Sequence, residues 1–317
     1  MPKIIKINST EIGLGEEANI SMNIAKLPSR TTVDIPIIIK RAKEDGPVFL
    51  LLAGMHGDEI NGIEIIRQLM VEQSLKLIRG TIIAIPIINI YGFIHLKRET
   101  PDGKDLNRCF PGIENGSLAS RIAWFFMKTV MPWVDCGVDF HTGGAMRTNY
   151  PQVRCTFNDL NNRELGEAFS APFLIDSPLR DKTIRKEALK LDKPIIVYEG
   201  GESLRMNRNA IKEGVNGTLR LLQHLNMIQP VAKPAQSIVI GSSTWVRARI
   251  AGLFIPSVKA GDFVKNKQTI GILTGPYSDF QKKIKAPCDG WVIGLNNLPV
   301  VNQGEALFHI GIEEKNN

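Results

Sequence analysis

The stretch LLAGMHGDEINGIEII, residues 51–66, decides the fold. It begins inside a continuous apolar run, PVFLLLAG (47–54), of the kind that fills a strand covered on both faces. The run stops at His56, Gly57, Asp58 and Glu59. Ile60, Ile63, Ile66, Leu69 and Met70 then recur at helical spacing. Strand followed by helix is the alternation from which an α/β sheet is built. The polar cluster at the junction is a separate matter, because nothing in that alternation requires a histidine and two acids there.

The same alternation continues along the chain. GTIIAIPIIN (80–89), VDCGVDFH (134–141) and KPIIVYEGG (193–201) read as further buried strands, and SLASRIAWFFMKTV (117–130) and NRNAIKEGVNGTLRLLQHLNM (207–227) as helices. Residues 1–45 alternate apolar and polar in places, as in TTVDIPIIIK, and read as a β-rich N-terminal segment. These features predict an α/β fold over residues 1–230, with a mixed, largely parallel sheet flanked by helices. The composition shifts at MIQPVAKPAQS (227–237), which reads as a linker. Beyond it helical periodicity disappears. VKAGDFVKNKQTIGIL (258–273) is echoed by VVNQGEALFHIG (300–311), which predicts a small all-β C-terminal domain over 238–317.

Composition narrows the function classes. The 317 residues are 43% hydrophobic and 22% charged, as in a globular protein. Thirty-nine basic against 32 acidic residues give a net charge of +7, with no basic run of five or six. A nucleic-acid footprint needs clustering, so no nucleic-acid partner is expected, whereas a small anionic substrate suits the charge. The N-terminus lacks an apolar core of signal-peptide length, and TIIAIPIINIYGFI (81–94) is too short to span a bilayer. The reading is a cytoplasmic protein with no membrane partner. Cys109, Cys136, Cys155 and Cys288 are widely spaced without a CxxC and read as reduced thiols. Neither GxSxG nor a phosphate-cradling glycine motif occurs.

Functional groups of an α/β sheet collect beyond the carboxyl ends of its strands. Three of the four strands end there in polar residues: HGDE, then FHTGG, then YEGG. His56 and Glu59, three apart, share one face of a helical turn and reach one metal. With His141 they make two nitrogens and a carboxylate, a standard catalytic zinc set with an open position. Read alone, HxxE also fits a helix start at which Asp58 and Glu59 favour the macrodipole. Glu199 fits a general base at a partly desolvated strand end, or a carboxylate paired with a nearby Arg or Lys. Asn107 and Arg108, in DLNR, suit a grip on a carboxylate, or a turn held by Asp105 and Asn107 with Arg108 in a salt bridge. His95, His224 and His309 read as structural, and nothing marks Cys109 as an activated thiolate.

HGDE (56–59), DLNRCFPG (105–112), DFHTGG (139–144) and YEGG (198–201), in this order and spacing, resemble the succinylglutamate desuccinylase/aspartoacylase family, a branch of the zinc carboxypeptidase superfamily. The resemblance implies one zinc ion per chain on His56, Glu59 and His141, with Glu199 activating water. It implies that Asn107 and Arg108 hold a substrate carboxylate, that Arg98 polarises the scissile carbonyl, and that Arg185 reads the substrate. Asp58 is expected not to bind the metal, and Gly57 to let the backbone bend tightly. The implied activity is hydrolysis of the amide bond of a small anionic N-acyl amino acid. The alternatives are a zinc carboxypeptidase acting on short peptides and a non-catalytic binding protein on a hydrolase scaffold. LKRETPDGK (96–104) and GAMRTNYPQVR (144–154) are the expected specificity loops.

The C-terminal domain resembles a biotinyl/lipoyl-type β-sandwich, but Asp279 stands where carriers bear the modified lysine, so no attached biotin or lipoate is expected. The domain is expected to cover the mouth of the site or to form an oligomer contact, which leaves a homo-oligomer open. Tyr277 reads either as a residue that reaches substrate or as an ordinary loop tyrosine.

Overall fold

In the strand Glu44–Leu52, successive side chains point to opposite faces. Phe49 and Leu51 enter one core, Leu50 and Leu52 the other, all fully buried. Arg79–Ile85 beside it divides the same way, with Ile82 and Ala84 opposed to Ile83 and Ile85. A strand apolar on both faces needs a layer on each side. Helices Asn61–Val71, Leu160–Phe169 and Arg208–His224 supply one layer. Helices Leu118–Thr129 and Ile184–Leu189 supply the other. Truncating one of these buried leucines to alanine would cost about 2–5 kcal/mol.

The chain is described by a computed structural model over residues 4–26, 29–71, 75–231 and 236–314. The linker expected at 227–237 therefore falls partly outside the described residues, at 232–235. The sheet has twelve strands. At its centre Arg79–Ile85, Glu44–Leu52, Cys136–Gly143 and Ile195–Glu202 lie side by side and parallel. On one flank Thr32–Arg41 and Glu17–Lys26 add antiparallel, as expected of the β-rich segment. Parallel pairing is thus confined to the centre and to short stretches near Phe173–Asp176. The sheet is mixed, and less dominated by parallel strands than the sequence predicts.

The other flank departs further from expectation. GAMRTNYPQVR is mostly a strand, Arg147–Cys155, antiparallel to Ile195–Glu202. Its inward positions, such as Asn149 and Gln152, are buried but polar, so apolar alternation does not reveal it. From there the sheet passes through Phe173–Asp176, Ile238–Arg247, Ala306–Glu313 and Gly290–Asn296. Gly290–Asn296 also pairs back onto Arg147–Cys155 and closes these five strands into a barrel. Phe173, Ile175, Ile240 and Ile293 form its apolar cluster. The C-terminal region, expected as a separate unit, therefore shares the central sheet. A second, four-stranded sheet, in the order Gln281–Lys285, Thr269–Thr274, Gly252–Pro256, Val300–Val301, packs against it. Among the described residues no helix is long and apolar enough to cross a membrane.

Candidate active site

The HGDE motif sits on a turn that precedes the helix rather than on the helix. The Glu59 N–H donates to the His56 carbonyl at 3.2 Å, and the helix begins at Asn61. The turn still brings both side chains to one point. Gly57 is required there by close approach: a Cβ on it would lie 1.8 Å from the Gly92 carbonyl carbon. Its N–H donates to the Lys97 carbonyl at 3.0 Å, which pins the turn to the following loop.

His141 lies near the carboxyl end of the neighbouring strand Cys136–Gly143, and Glu59 bridges the two histidines. Its carboxylate oxygens lie 2.8 Å from Nδ1 of His56 and 2.8 Å from Nδ1 of His141. One donor atom from each residue lies within 4.8 Å of the others. All three residues are buried. The outer ring nitrogens are held by two acids whose roles the sequence reading did not assign. Asp105 sits 3.1 Å from Nε2 of His56, and Asp139 sits 2.8 Å from Nε2 of His141. An outer carboxylate that takes the Nε2–H leaves the inner Nδ1 lone pair for a cation. Asp139 was findable, because residues two apart on a strand share a face.

Electrostatics reinforce the cluster. Burial opposes charge on Glu59, but the two histidines outweigh it and hold the carboxyl well below its usual range. Burial likewise disfavours the His141 cation, and Asp139 with Glu59 still raise that imidazole well above its usual value. His56 is raised despite burial by Glu59 and Asp105. Asp58 is not part of the three-residue cluster, and burial and the nearby Glu59 push its carboxyl upward.

The site residues expected from sequence fall around one cleft of about 210 Å³. His56, Glu59, Arg98, Asn107, Arg108, His141, Arg185 and Glu199 all line it. Glu199 lies opposite His141 in the parallel pairing of Ile195–Glu202 with Cys136–Gly143. The reading of Glu199 as a carboxylate paired with a nearby Arg is met by Arg154, which lies 3.3 Å from its Oε2, and the Asn149 amide also donates to it. Arg98 is tied to Asp105 at 2.8 Å and to Glu59 at 3.0 Å. The DLNR turn is held by Asp105, which accepts from the Asn107 N–H at 2.9 Å, but Arg108 bonds the Asn107 carbonyl instead of an acid. Asn107 Oδ1 accepts from the Ile184 N–H at 3.1 Å, which leaves its amide N–H groups as the donors.

Arg185 donates to the Ser177 carbonyl at 3.0 Å. Burial lowers its pKa to about 10, so it is a cation at neutral pH. Arg154 and Arg180 also line the cleft and were not singled out by sequence. Five arginines thus face two carboxylates, those of Glu59 and Glu199. Tyr277 is 89% exposed and does not line the cleft. Nor, among the described residues, does any other residue of the C-terminal region line it, so that region does not form this cleft's wall. It supports the wall from behind: Asn297 donates to Thr148 at 2.8 Å and also to Glu202.

Fold and site together define an α/β protein with a buried His–Glu–His cluster, able to hold a metal, on the carboxyl edge of its parallel strands. The family model for the succinylglutamate desuccinylase/aspartoacylase catalytic domain matches residues 45–225, more than half of the chain. The chain belongs to that family. It is 27% identical over 256 residues to the N-alpha-acetyl-L-2,4-diaminobutyric acid deacetylase of Halomonas elongata, covering 75% of this chain and 73% of that one. Its fold is similar to that of a succinylglutamate desuccinylase/aspartoacylase from Rhodobacter sphaeroides, with a TM-score of 0.84 at 24% identity over 96% of this chain and 98% of the other. It is equally similar to the product-bound ectoine utilization protein EutE (DoeB) of Ruegeria pomeroyi, with a TM-score of 0.85 at 21% identity over 98% and 99%. The family match stops before the C-terminal region, but these structural likenesses extend across it.

Proposed function

We propose that the protein is a zinc-dependent deacylase that hydrolyses the amide bond of a small, anionic N-acyl amino acid. The observation that carries this reading is the convergence of His56, Glu59 and His141 in one arginine-lined cleft that also holds Glu199. The donor set fits zinc: two imidazoles and one carboxylate, buried, with both outer ring nitrogens held by carboxylates. His56, Glu59 and His141 would hold the zinc, which would supply Lewis acidity to polarise a carbonyl and make water a better nucleophile near neutral pH.

The remaining work belongs to the protein. Glu199 accepts the proton of the attacking water and returns it to the leaving amine. Arg154 and Asn149 hold its carboxylate in place. Arg98, oriented by Asp105, presents N–H donors to the carbonyl oxygen as negative charge develops. Asn107 and Arg108 hold the substrate carboxylate, and Arg185 offers a half-buried cation to a second anionic group. The deacetylase name of the Halomonas relative supports acyl removal from an amino acid.

The test is a panel of N-acyl amino acids assayed with metal-stripped and zinc-loaded protein. The reading requires turnover that disappears on chelation, returns with zinc and is lost in Glu199→Gln. Faster turnover of C-terminal peptides than of N-acyl amino acids would move the assignment to a carboxypeptidase. Zinc-loaded protein inactive on both classes would refute it.

A further inference from the structure

Away from the catalytic cleft, the C-terminal region has an open side. Strand Ile238–Arg247 is flanked by Ala306–Glu313 along its length, but on its other edge Phe173–Asp176 reaches only as far as Ile240. Among the described residues no strand pairs with that second edge over 242–247. Strand Gln281–Lys285 is likewise the outer member of its four-stranded sheet. A cavity of about 540 Å³ lies between these two edges.

Two features of this cavity point to one class of occupant. First, consecutive residues of each edge strand line it, Thr244 to Arg247 on one side and Lys282 to Lys285 on the other. Successive side chains alternate between faces, so a cavity that meets both sets runs along the strand edge, where backbone N–H and C=O groups are unpaired. Second, its chemistry is divided. Val246, Ile250, Leu273 and Ile284 form an apolar floor continuous with the core. Arg247, Arg249, Lys282, Lys283 and Lys285 surround it, and among the described residues no acidic side chain lines it. Among the described residues none of these five cations is in an ion pair, whereas Arg98 and Arg154 in the catalytic cleft both are.

We propose that this groove binds an extended peptide strand with alternating acidic and apolar residues, added to the free edge at 242–247. Backbone hydrogen bonds to that edge supply the pairing, apolar side chains enter the floor, and acidic side chains meet the cationic rim. The rim also keeps a second copy of the same basic edge away by repulsion, so a self-association partner is disfavoured. Trp245 lines the groove, 38% exposed, and stacks on His309 with ring centroids 4.1 Å apart, which makes it a reporter of occupancy.

The test is a fluorescence titration of the full chain with a capped Glu-Val-Glu-Val-Glu-Val peptide. Three comparison probes are used: the same composition in blocked order, the alternating peptide N-methylated along one edge, and adenosine triphosphate. The proposal expects saturable binding of the alternating peptide, weakened at least tenfold by N-methylation, by blocked order and by Lys283→Glu/Lys285→Glu, with the signal absent in Trp245→Phe. Both lysines are exposed, and circular dichroism checks that the variant is folded. Equal binding of the N-methylated peptide, or tighter binding of adenosine triphosphate, would show a general anion site and overturn it. No binding of any probe would also overturn it, leaving the lysines as edge protection alone.

Discussion

Glu199 and His141 face each other across the two central parallel strands, in register, although 58 positions separate them in sequence. Parallel pairing puts the carboxyl ends of both strands on the same edge, so the proposed base and a proposed ligand open into the same cleft. Replacing Glu199 with glutamine keeps the shape and removes the proton acceptor. The expected result is a fall in kcat of about 10²–10⁴. Zinc content measured by mass spectrometry should stay unchanged, because Glu199 is not among the three proposed ligand residues.

Under the proposed function the outer carboxylates should tune the metal rather than the chemistry. Asp139→Asn removes the anionic partner of His141 Nε2. Zinc affinity, measured by competition with a chromogenic chelator, is expected to fall about 10–100-fold, and saturating zinc should recover most of the turnover. Asp105→Asn should behave similarly at His56 but also loosen Arg98, which Asp105 holds at 2.8 Å. An Asp139→Asn protein that binds zinc as tightly as the parent would contradict the assigned role.

Arg185 is a half-buried cation whose Nε has no partner among the described residues. Under the proposed function Arg185→Met should raise KM for a dianionic N-acyl amino acid by about 10–100-fold, the scale of a lost charged hydrogen bond. Substrates lacking the second anionic group should be affected much less. A similar loss for both substrate types would assign Arg185 to folding instead.

Acid should destabilise the protein partly through His309. Burial, and then the nearby Arg154 charge, push its pKa down to about 3. The unfolded chain titrates this residue near 6.5, so between these values the unfolded state binds the extra proton. The stability tied to neutral His309 is complete above about pH 6.5 and falls as pH drops toward 3, by up to about 1.4 kcal/mol per pH unit. Urea midpoints measured from pH 7 to pH 4 should fall less steeply in His309→Gln than in the parent. Identical slopes would exclude the residue as a source of acid sensitivity.

Gly57→Ala tests close packing under the ligand turn. The added Cβ would meet backbone atoms of Gly92 and Phe93, at 1.8 Å and 2.1 Å, not a side chain that can swing away. A loss of about 3 kcal/mol or more is expected, at or beyond the upper end of ordinary overpacking. Thermal unfolding of the zinc-free protein would measure it without contribution from the metal.

Much of the catalytic half was legible in the chain. Leu50, Leu51, Ile82 and Ile83 announce strands buried on both faces, and the regular apolar spacing of 208–224 announces a helix. Strand Arg147–Cys155 was not legible, because buried polar residues such as Gln152 satisfy themselves within the barrel and leave no apolar pattern. Gln152 donates to the carbonyls of Tyr150 and Ile293, the second of which lies 141 positions away.

The sequence by itself determined which residue types stand at the strand ends, and hence that His56, Glu59, His141 and Glu199 were candidates for one site. Local spacing and apolar periodicity are short-range properties, and they suffice for that. Only the tertiary structure decided that Asp105 braces His56, that Arg154 holds Glu199, and that the C-terminal strands close a barrel with the central sheet. Those facts depend on hydrogen bonds and ion pairs between residues distant in sequence, and such pairings carry no periodic signal along the chain.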